Sequence, residues 1–187
     1  MMEEINFYLD DAKESMEKTI LHTNQELSKI RAGKAMPSML DGLTVDYYGS
    51  HTPISQVSSI NNLDARTLVI KPWERAMVSE IEKAIKKSDL GVQPQNDGDQ
   101  IRLNFPPPTE ERRKNLVKQA KQEVENGKVS IRTIRKDTND ELKKLLKDGA
   151  PEDAIKTAET KVQTLTDAHI RKLDEILASK EVDIMKI

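Results

Sequence analysis

Lysine and arginine residues recur at a regular spacing in the second half of the chain. Neighbours in the series are three, four or seven residues apart, with Glu125 as the one acidic residue in the same register: Lys114, Lys118, Lys121, Lys128, Arg132 and Arg135. On a helix this spacing places them along one side. Guanidinium and ammonium groups bind phosphate, and the planar guanidinium fork can bind two oxygens at once. The pattern predicts a surface for a polyanion; the competing interpretation is a solvated helix face held by salt bridges.

The basic residues form two clusters. The first comprises Lys128, Arg132, Arg135 and Lys136, and the second, near the start of the predicted helix, comprises Arg112, Arg113 and Lys114. Few aromatic residues accompany either cluster, so stacking on the bases of a single strand is not indicated. Recognition of the backbone and the shape of a folded RNA fits this composition better.

One long helix over 109–148 is predicted to carry these residues. Small or apolar residues recur every three or four positions and should form its buried side: Val117, Ala120, Val124, Gly127, Ile131, Ile134, Thr138, Leu142 and Leu145. Most of the basic residues follow one position later, which is about 100° around the helix, so the two sides adjoin. Asn126-Gly127 leaves two alternatives, a continuous helix or a break or kink. Both patterns keep their register through Gly127, which favours the continuous helix.

Two more helices are predicted, over 3–31 and 152–186. None of the three can bury its apolar side alone, and a three-helix bundle solves that problem. The composition changes between the first two helices, where glycine, proline and β-branched residues are frequent. The sequence therefore predicts an α+β fold of two domains. Residues 1–31 and 106–187 form a discontinuous three-helix bundle, and 32–105 form an inserted β/α/β domain.

Within the inserted domain the sequence predicts short elements and turns. Strands are expected at 43–48, 56–60, 66–71 and 100–105, a helix at 76–88, and turns at 49–53 and 96–99. Tyr47, Tyr48 and Trp73 are expected to pack in its core, with an exposed contact surface as the alternative. Gly33 near one crossing between the domains and the prolines at 106–108 in the other are either plain connectors or a hinge pair.

Composition and the remaining motifs argue against an enzyme. Among 187 residues there is no cysteine and there are three histidines, His22, His51 and His169, none with a recognised metal-ligand or proton-transfer spacing. We find no glycine-rich phosphate loop and no nucleophile with an identifiable base, so no cofactor and no metal are expected. The acidic N-terminus lacks a signal peptide, and no apolar run approaches the ~20 residues that span a membrane. A soluble cytoplasmic protein is the expectation.

Several separated segments resemble the ribosome recycling factor family, in the same order and along the whole chain. They are KIRAGKAMPSMLDG at 29–42, YYGSHTP at 47–53, SDLG at 88–91, PPPTEERRK at 106–114 and RTIRKDTND at 132–140. The resemblance implies a long three-helix bundle with an inserted β/α/β domain on a two-strand hinge, in an L shape like that of a transfer RNA. It also implies a monomer that binds the bacterial ribosome.

The resemblance implies a function and a set of residues. Family members, with elongation factor G and GTP, split the ribosome into subunits after termination, and their bundle contacts large-subunit ribosomal RNA. The positions of Arg132 and Arg135 are the main RNA contacts. The position of Lys136 is often arginine, so here the charge is kept and the bidentate fork is lost. Arg31 matches a further basic position near the hinge. The hinge itself matches the crossings at Gly33 and Pro37 and at Phe105, Pro106, Pro107 and Pro108.

The alternative function is that of a helical chaperone-like or scaffold protein whose surfaces bind other proteins. It predicts binding that is insensitive to salt and no affinity for ribosomes, so sedimentation with ribosomes at two salt concentrations separates the two hypotheses.

Overall fold

The computed structural model describes residues 1–30 and 34–186, and they divide into two units. The bundle comprises Met1–Ala32 and Glu110–Lys186, and the module comprises Gly33–Thr109. In chain order the elements are α1 (Met2–Lys29), β1 (Thr44–Tyr47), β2 (Ser50–Pro53), α2 (Ile54–Val57), β3 (Ser58–Asp64), β4 (Thr67–Pro72), α3 (Met77–Lys87), β5 (Pro94–Asn96), β6 (Ile101–Asn104), α4 (Glu110–Lys147) and α5 (Glu152–Met185). The α+β fold class is confirmed, and the second boundary lies a few residues beyond the predicted one.

The bundle consists of α1, α4 and α5, each packed on the other two. Its core is mainly apolar, with fully buried side chains from all three helices: Met16, Ile131, Leu142, Leu173 and Ile184. The buried side of α4 follows the predicted spacing, although it begins at Leu116, and Val117, Ile134 and Leu145 are only half-buried. Gly149 ends α4 with a φ of 97°, and the amide of Ala150 donates to the carbonyl of Leu145 at 2.9 Å.

Gly127 lies where the three helices meet, and α4 runs through it without a break. A Cβ at this position would be 2.6 Å from Thr23 Oγ1 on α1 and 3.2 Å from Leu173 Cδ1 on α5. A larger side chain would have to displace both neighbours. The continuous helix is therefore confirmed, and the glycine is explained by close packing instead of a turn.

The module combines a hairpin, a four-stranded antiparallel sheet and α3. Strands β1 and β2 form the hairpin, and the sheet order is β3-β4-β6-β5. In the two central strands, Leu68 is opposite Leu103 and Ile70 is opposite Ile101, and all four are fully buried. Alternate residues thus point into one core, which Ile81 and Ile85 of α3 complete.

The sequence was least informative about the hairpin and the short strands. The turn predicted at 49–53 is shorter, since Tyr48 and Gly49 both have positive φ and Ser50–Pro53 is strand β2. The first two residues of the strand predicted at 56–60 belong to the short helix α2, so strand β3 begins at Ser58, and β5 was not predicted. These segments are polar, and backbone pairing with a neighbour defines them better than any apolar pattern does.

Candidate nucleic-acid interface

The first basic cluster occupies one side of α4 over about 12 Å of helix. It consists of Lys128, Arg132, Arg135 and Lys136, which we call the basic patch. Arg132 and Lys136 are exposed, whereas Lys128 and Arg135 are half-buried. Buried Ile131 and Thr138 fix the rotation of α4, so the packing of the bundle directs the patch away from the core.

Two members of the basic patch form ion pairs and two do not. Arg132 Nη1 lies 3.0 Å from Glu125 Oε1 on the same helix, and Lys128 Nζ lies 2.5 Å from Asp174 Oδ1 on α5. Arg135 and Lys136 form no ion pair with any residue of 1–30 or 34–186. Arg135 and Lys136 are therefore the two cations of the patch that could bind an anion without first breaking an ion pair to a described carboxylate.

The second predicted cluster does not join the basic patch. Arg112 precedes Arg132 by 20 residues, which is about 30 Å along the helix and about 160° around it. Arg113 is half-buried, and its Nη1 donates to the carbonyl of Met185 at 3.5 Å, tying the start of α4 to the end of α5. Helical phase alone would have separated Arg112 from the patch. Arg31 lies outside the described residues.

The predicted hinge residues that the structure describes all belong to the module. Pro37 begins a short 3-10 helix at Pro37–Leu40, and Pro106 and Pro107 are exposed while Pro108 is half-buried. The amide of Phe105 donates to the carbonyl of Arg66 at 2.8 Å, and its side chain packs on the core of the module. Phe105 thus belongs to the module, and a hinge at this crossing would begin after it. Gly33 lies outside the described residues.

The aromatic residues of the module are mainly on its surface. Tyr48 is 83% exposed and Trp73 is 61% exposed, so the expectation of core packing is wrong for both. The hydroxyls of Tyr47 and Tyr48 donate to Glu74 Oε1 and Oε2 at 2.7 and 2.8 Å, and the two rings meet edge to face with centroids 4.7 Å apart. These hydrogen bonds hold the pKa of Glu74 below its usual 4.5 and raise the pKa of both tyrosines above 10.0.

The three histidines lie on separate elements, α1, β2 and α5. His22 and His51 are exposed, and the buried His169 places Nδ1 2.7 Å from the carbonyl of Leu165 on its own helix. Among residues 1–30 and 34–186 no group of histidine, aspartate and glutamate could hold a metal ion. Nor does any helix within those ranges have the length and apolar character to cross a membrane.

A family model, Ribosome recycling factor, matches residues 23–185. The chain belongs to the ribosome recycling factor family. The ribosome-recycling factor of Cytophaga hutchinsonii is 60% identical over 186 residues, which cover 100% of both chains. That of Amoebophilus asiaticus is 57% identical with the same coverage. Membership places the protein among the factors that recycle ribosomes after translation termination.

Solved structures of ribosome recycling factors share the fold. The solution structure of one is 32% identical, covers 100% of both chains and superposes with a TM-score of 0.69. A second, the Thermus thermophilus factor, is 41% identical, with coverage of 97% of this chain and 98% of the other and a TM-score of 0.56. That factor was described together with Escherichia coli elongation factor G bound to the post-termination complex.

Proposed function

We propose that this protein binds the bacterial ribosome after termination and, with elongation factor G and GTP, separates it into subunits. In this proposal the bundle contacts large-subunit ribosomal RNA through the basic patch on α4. Family membership supports the reaction, and the Thermus thermophilus relative with elongation factor G on a post-termination complex supports the partners. The site of action is the cytoplasm, where translating ribosomes are found.

The observation that carries the RNA contact is the group of four cations on one side of α4. Two of them, Arg135 and Lys136, lack a carboxylate partner among the described residues. Charges of one sign that are not neutralised within the protein attract a polyanion over about a Debye length. Arginine side chains can then bind phosphate oxygens in pairs, which gives the contact a defined geometry.

The proposal leaves catalysis to the partner. This chain would position itself between the subunits, and the elongation factor would hydrolyse GTP. Purified protein should therefore turn over no GTP above background. Turnover that follows this chain through purification, without the elongation factor, would contradict that division of roles.

The decisive experiment compares Arg135→Ala with Arg171→Ala. Arg171 is an exposed arginine on α5, and its helical phase is opposite the buried side of that helix, so its substitution removes the same charge from a different helix. A lost charge-assisted contact to phosphate costs ~1.5–3 kcal/mol, or about tenfold to a hundredfold in affinity. Arg135→Ala should lose that much affinity for large subunits, and Arg171→Ala should bind like the parent.

Two further measurements define the contact. Arg135→Lys should be intermediate, because it keeps the charge and loses the planar fork. The logarithm of the parent's affinity should fall linearly with the logarithm of the salt concentration, with a slope shallower by about one in Arg135→Ala. Equal affinity of Arg135→Ala and Arg171→Ala would remove the patch from the interface.

A further inference from the structure

A groove between α4 and α5 continues the basic patch toward the start of α4. It has a volume of about 600 Å³, and its lining includes Lys118, Lys121 and Lys128 with Val124 and Leu177. Glu125 also lines it. The groove and the patch share Lys128, so the cations of α4 form one continuous surface.

Three of these cations form ion pairs with carboxylates. Besides the pairs of Lys128 with Asp174 and of Arg132 with Glu125, Lys121 Nζ lies 3.7 Å from Glu181 Oε1 on α5. Two of the three pairs therefore cross from α4 to α5. A phosphate can take such a cation only if it displaces the carboxylate or shares the cation with it.

In the shortest of the three ion pairs, that of Lys128 with Asp174, the carboxylate is the more exposed partner. The side chain of Lys128 is 18% exposed, whereas that of Asp174 is 55% exposed. The ammonium group is thus packed against the bundle while the carboxylate is largely in solvent. A phosphate that approaches Lys128 meets the negative charge of Asp174 first, and like charges at such distances repel each other.

We propose that Asp174 and Glu125 are competing anions that weaken the hold of the α4 surface on ribosomal RNA and speed its release. This inference rests on the proposed contact between the basic patch and ribosomal RNA. In the free protein the two carboxylates hold Lys128 and Arg132 in defined positions. On the ribosome each gives way to a phosphate, and during release it returns to its cation. Affinity changes within one interface appear mainly in the rate of dissociation. The competing carboxylates should therefore speed dissociation from the ribosome, which suits a factor that must leave after every round.

The test uses the isosteric neutral variants Glu125→Gln and Asp174→Asn. An exposed ion pair contributes up to about 1 kcal/mol, so each variant should bind large subunits about two- to fivefold more tightly, chiefly through slower dissociation. The salt dependence should steepen by up to about one for each variant, and the gain should shrink at high salt. Glu152→Gln is the matched control, since Glu152 pairs with Lys156 on α5 and both are exposed. It should change affinity less than twofold.

The outcomes separate this inference from the proposed function when Arg135→Ala is measured in the same series. Unchanged or weaker binding by both neutral variants, with a clear loss in Arg135→Ala, would overturn the inference and leave the RNA contact in place. No loss in Arg135→Ala would overturn both. Glu125 and its partner Arg132 are on the surface, with side chains 53% and 46% exposed, so Glu125→Gln tests the idea even if Asp174→Asn alters packing around Lys128. A melting curve for each variant checks that point.

Discussion

In the bundle, buried side chains recur every three or four residues along helices of 28 to 38 residues, whereas in the module they alternate along strands of three to seven residues. Both units bury some polar side chains, Ser58 and Thr67 in the module and Thr166 and His169 in the bundle among them. The hydroxyl of Thr166 donates to the carbonyl of Val162 at 2.8 Å, and His169 bonds within its helix in the same way. The core cluster of the module contains aliphatic and methionine side chains only, and its aromatic rings are half-buried or exposed.

The difference teaches where each unit is vulnerable. A helix can satisfy a buried hydroxyl with its own backbone, so the bundle depends on how closely its helices approach. The module depends on the small number of side chains that its strands and α3 bury together, and on the turns that bring the strands into register. The predictions below test that contrast.

Truncating the core of the module should have the largest effect. Ile81 is fully buried, and Ile81→Ala should cost about 2–5 kcal/mol of the module's stability. Trp73 is the only tryptophan, so its fluorescence reports on the module, while far-UV circular dichroism reports mainly on the long helices. The fluorescence transition should move and the dichroism transition should stay. Leu63→Ala, at a residue 63% exposed in the module, is the control. Equal shifts of both transitions would show that the two units unfold together.

A methyl group at Gly127 should produce the next largest effect. Gly127→Ala gains about 1 kcal/mol of helix propensity, but overpacking against Thr23 and Leu173 costs about 1–3 kcal/mol. We expect a net loss of up to about 2 kcal/mol in chemical denaturation followed by circular dichroism. The neighbouring exposed Asn126→Ala should show no loss. In a Thr23→Ala background the cost of Gly127→Ala should fall, and additive costs would place the conflict elsewhere.

The tyrosine–glutamate contact should give the module a small pH dependence. The lowered pKa of Glu74 means that its contribution is present above the usual value of 4.5 and is lost as pH falls through the folded-state pKa. The raised pKa of Tyr47 and Tyr48 adds a contribution that is present below 10.0 and is lost as pH rises through their folded-state values. The melting temperature of the parent should exceed that of Glu74→Gln near pH 7. The difference should shrink below pH 4.5, and a constant difference would mean that the carboxylate charge is irrelevant.

The smallest effect on stability is expected in the basic patch. Arg135 forms no ion pair among the described residues, so Arg135→Ala should change the free energy of unfolding by only about ±0.5 kcal/mol. Calorimetric melting of Arg135→Ala beside the parent checks this. A clearly lowered melting temperature with unchanged ribosome binding would mean that Arg135 stabilises the bundle.

The sequence predicted the bundle well because its pattern is long and periodic. The three helices and the continuity of α4 through Gly127 followed from spacing alone. The module was harder to predict, since Ser50–Pro53 and Pro94–Asn96 are polar and become strands through their partners. The positive φ of Tyr48 also could not be predicted, because tyrosine rarely adopts that conformation.

For the candidate site, the sequence located the cations but not their partners. The register of Lys128, Arg132 and Arg135 along one side of α4 was predicted. The pairs that reach across to Asp174 and Glu181 depend on how α5 packs against α4, and spacing within one helix carries no information about that. The second cluster, with Arg112 and Arg113, was predicted as a separate group near the helix start, and its role in RNA binding stays a prediction.

The insertion of the module within the bundle also orders events during synthesis. Helix α1 is made first, but its partners α4 and α5 follow the whole module, and α5 ends roughly 150 residues later. At a synthesis rate of ~5–20 residues per second, the apolar side of α1 stays without its complete packing partners for about 8–30 s. The module can complete its own core during that wait. A newly made molecule thus completes its α4–α5 helix pair only at the end of its own translation, when the rest of the chain has already been synthesised.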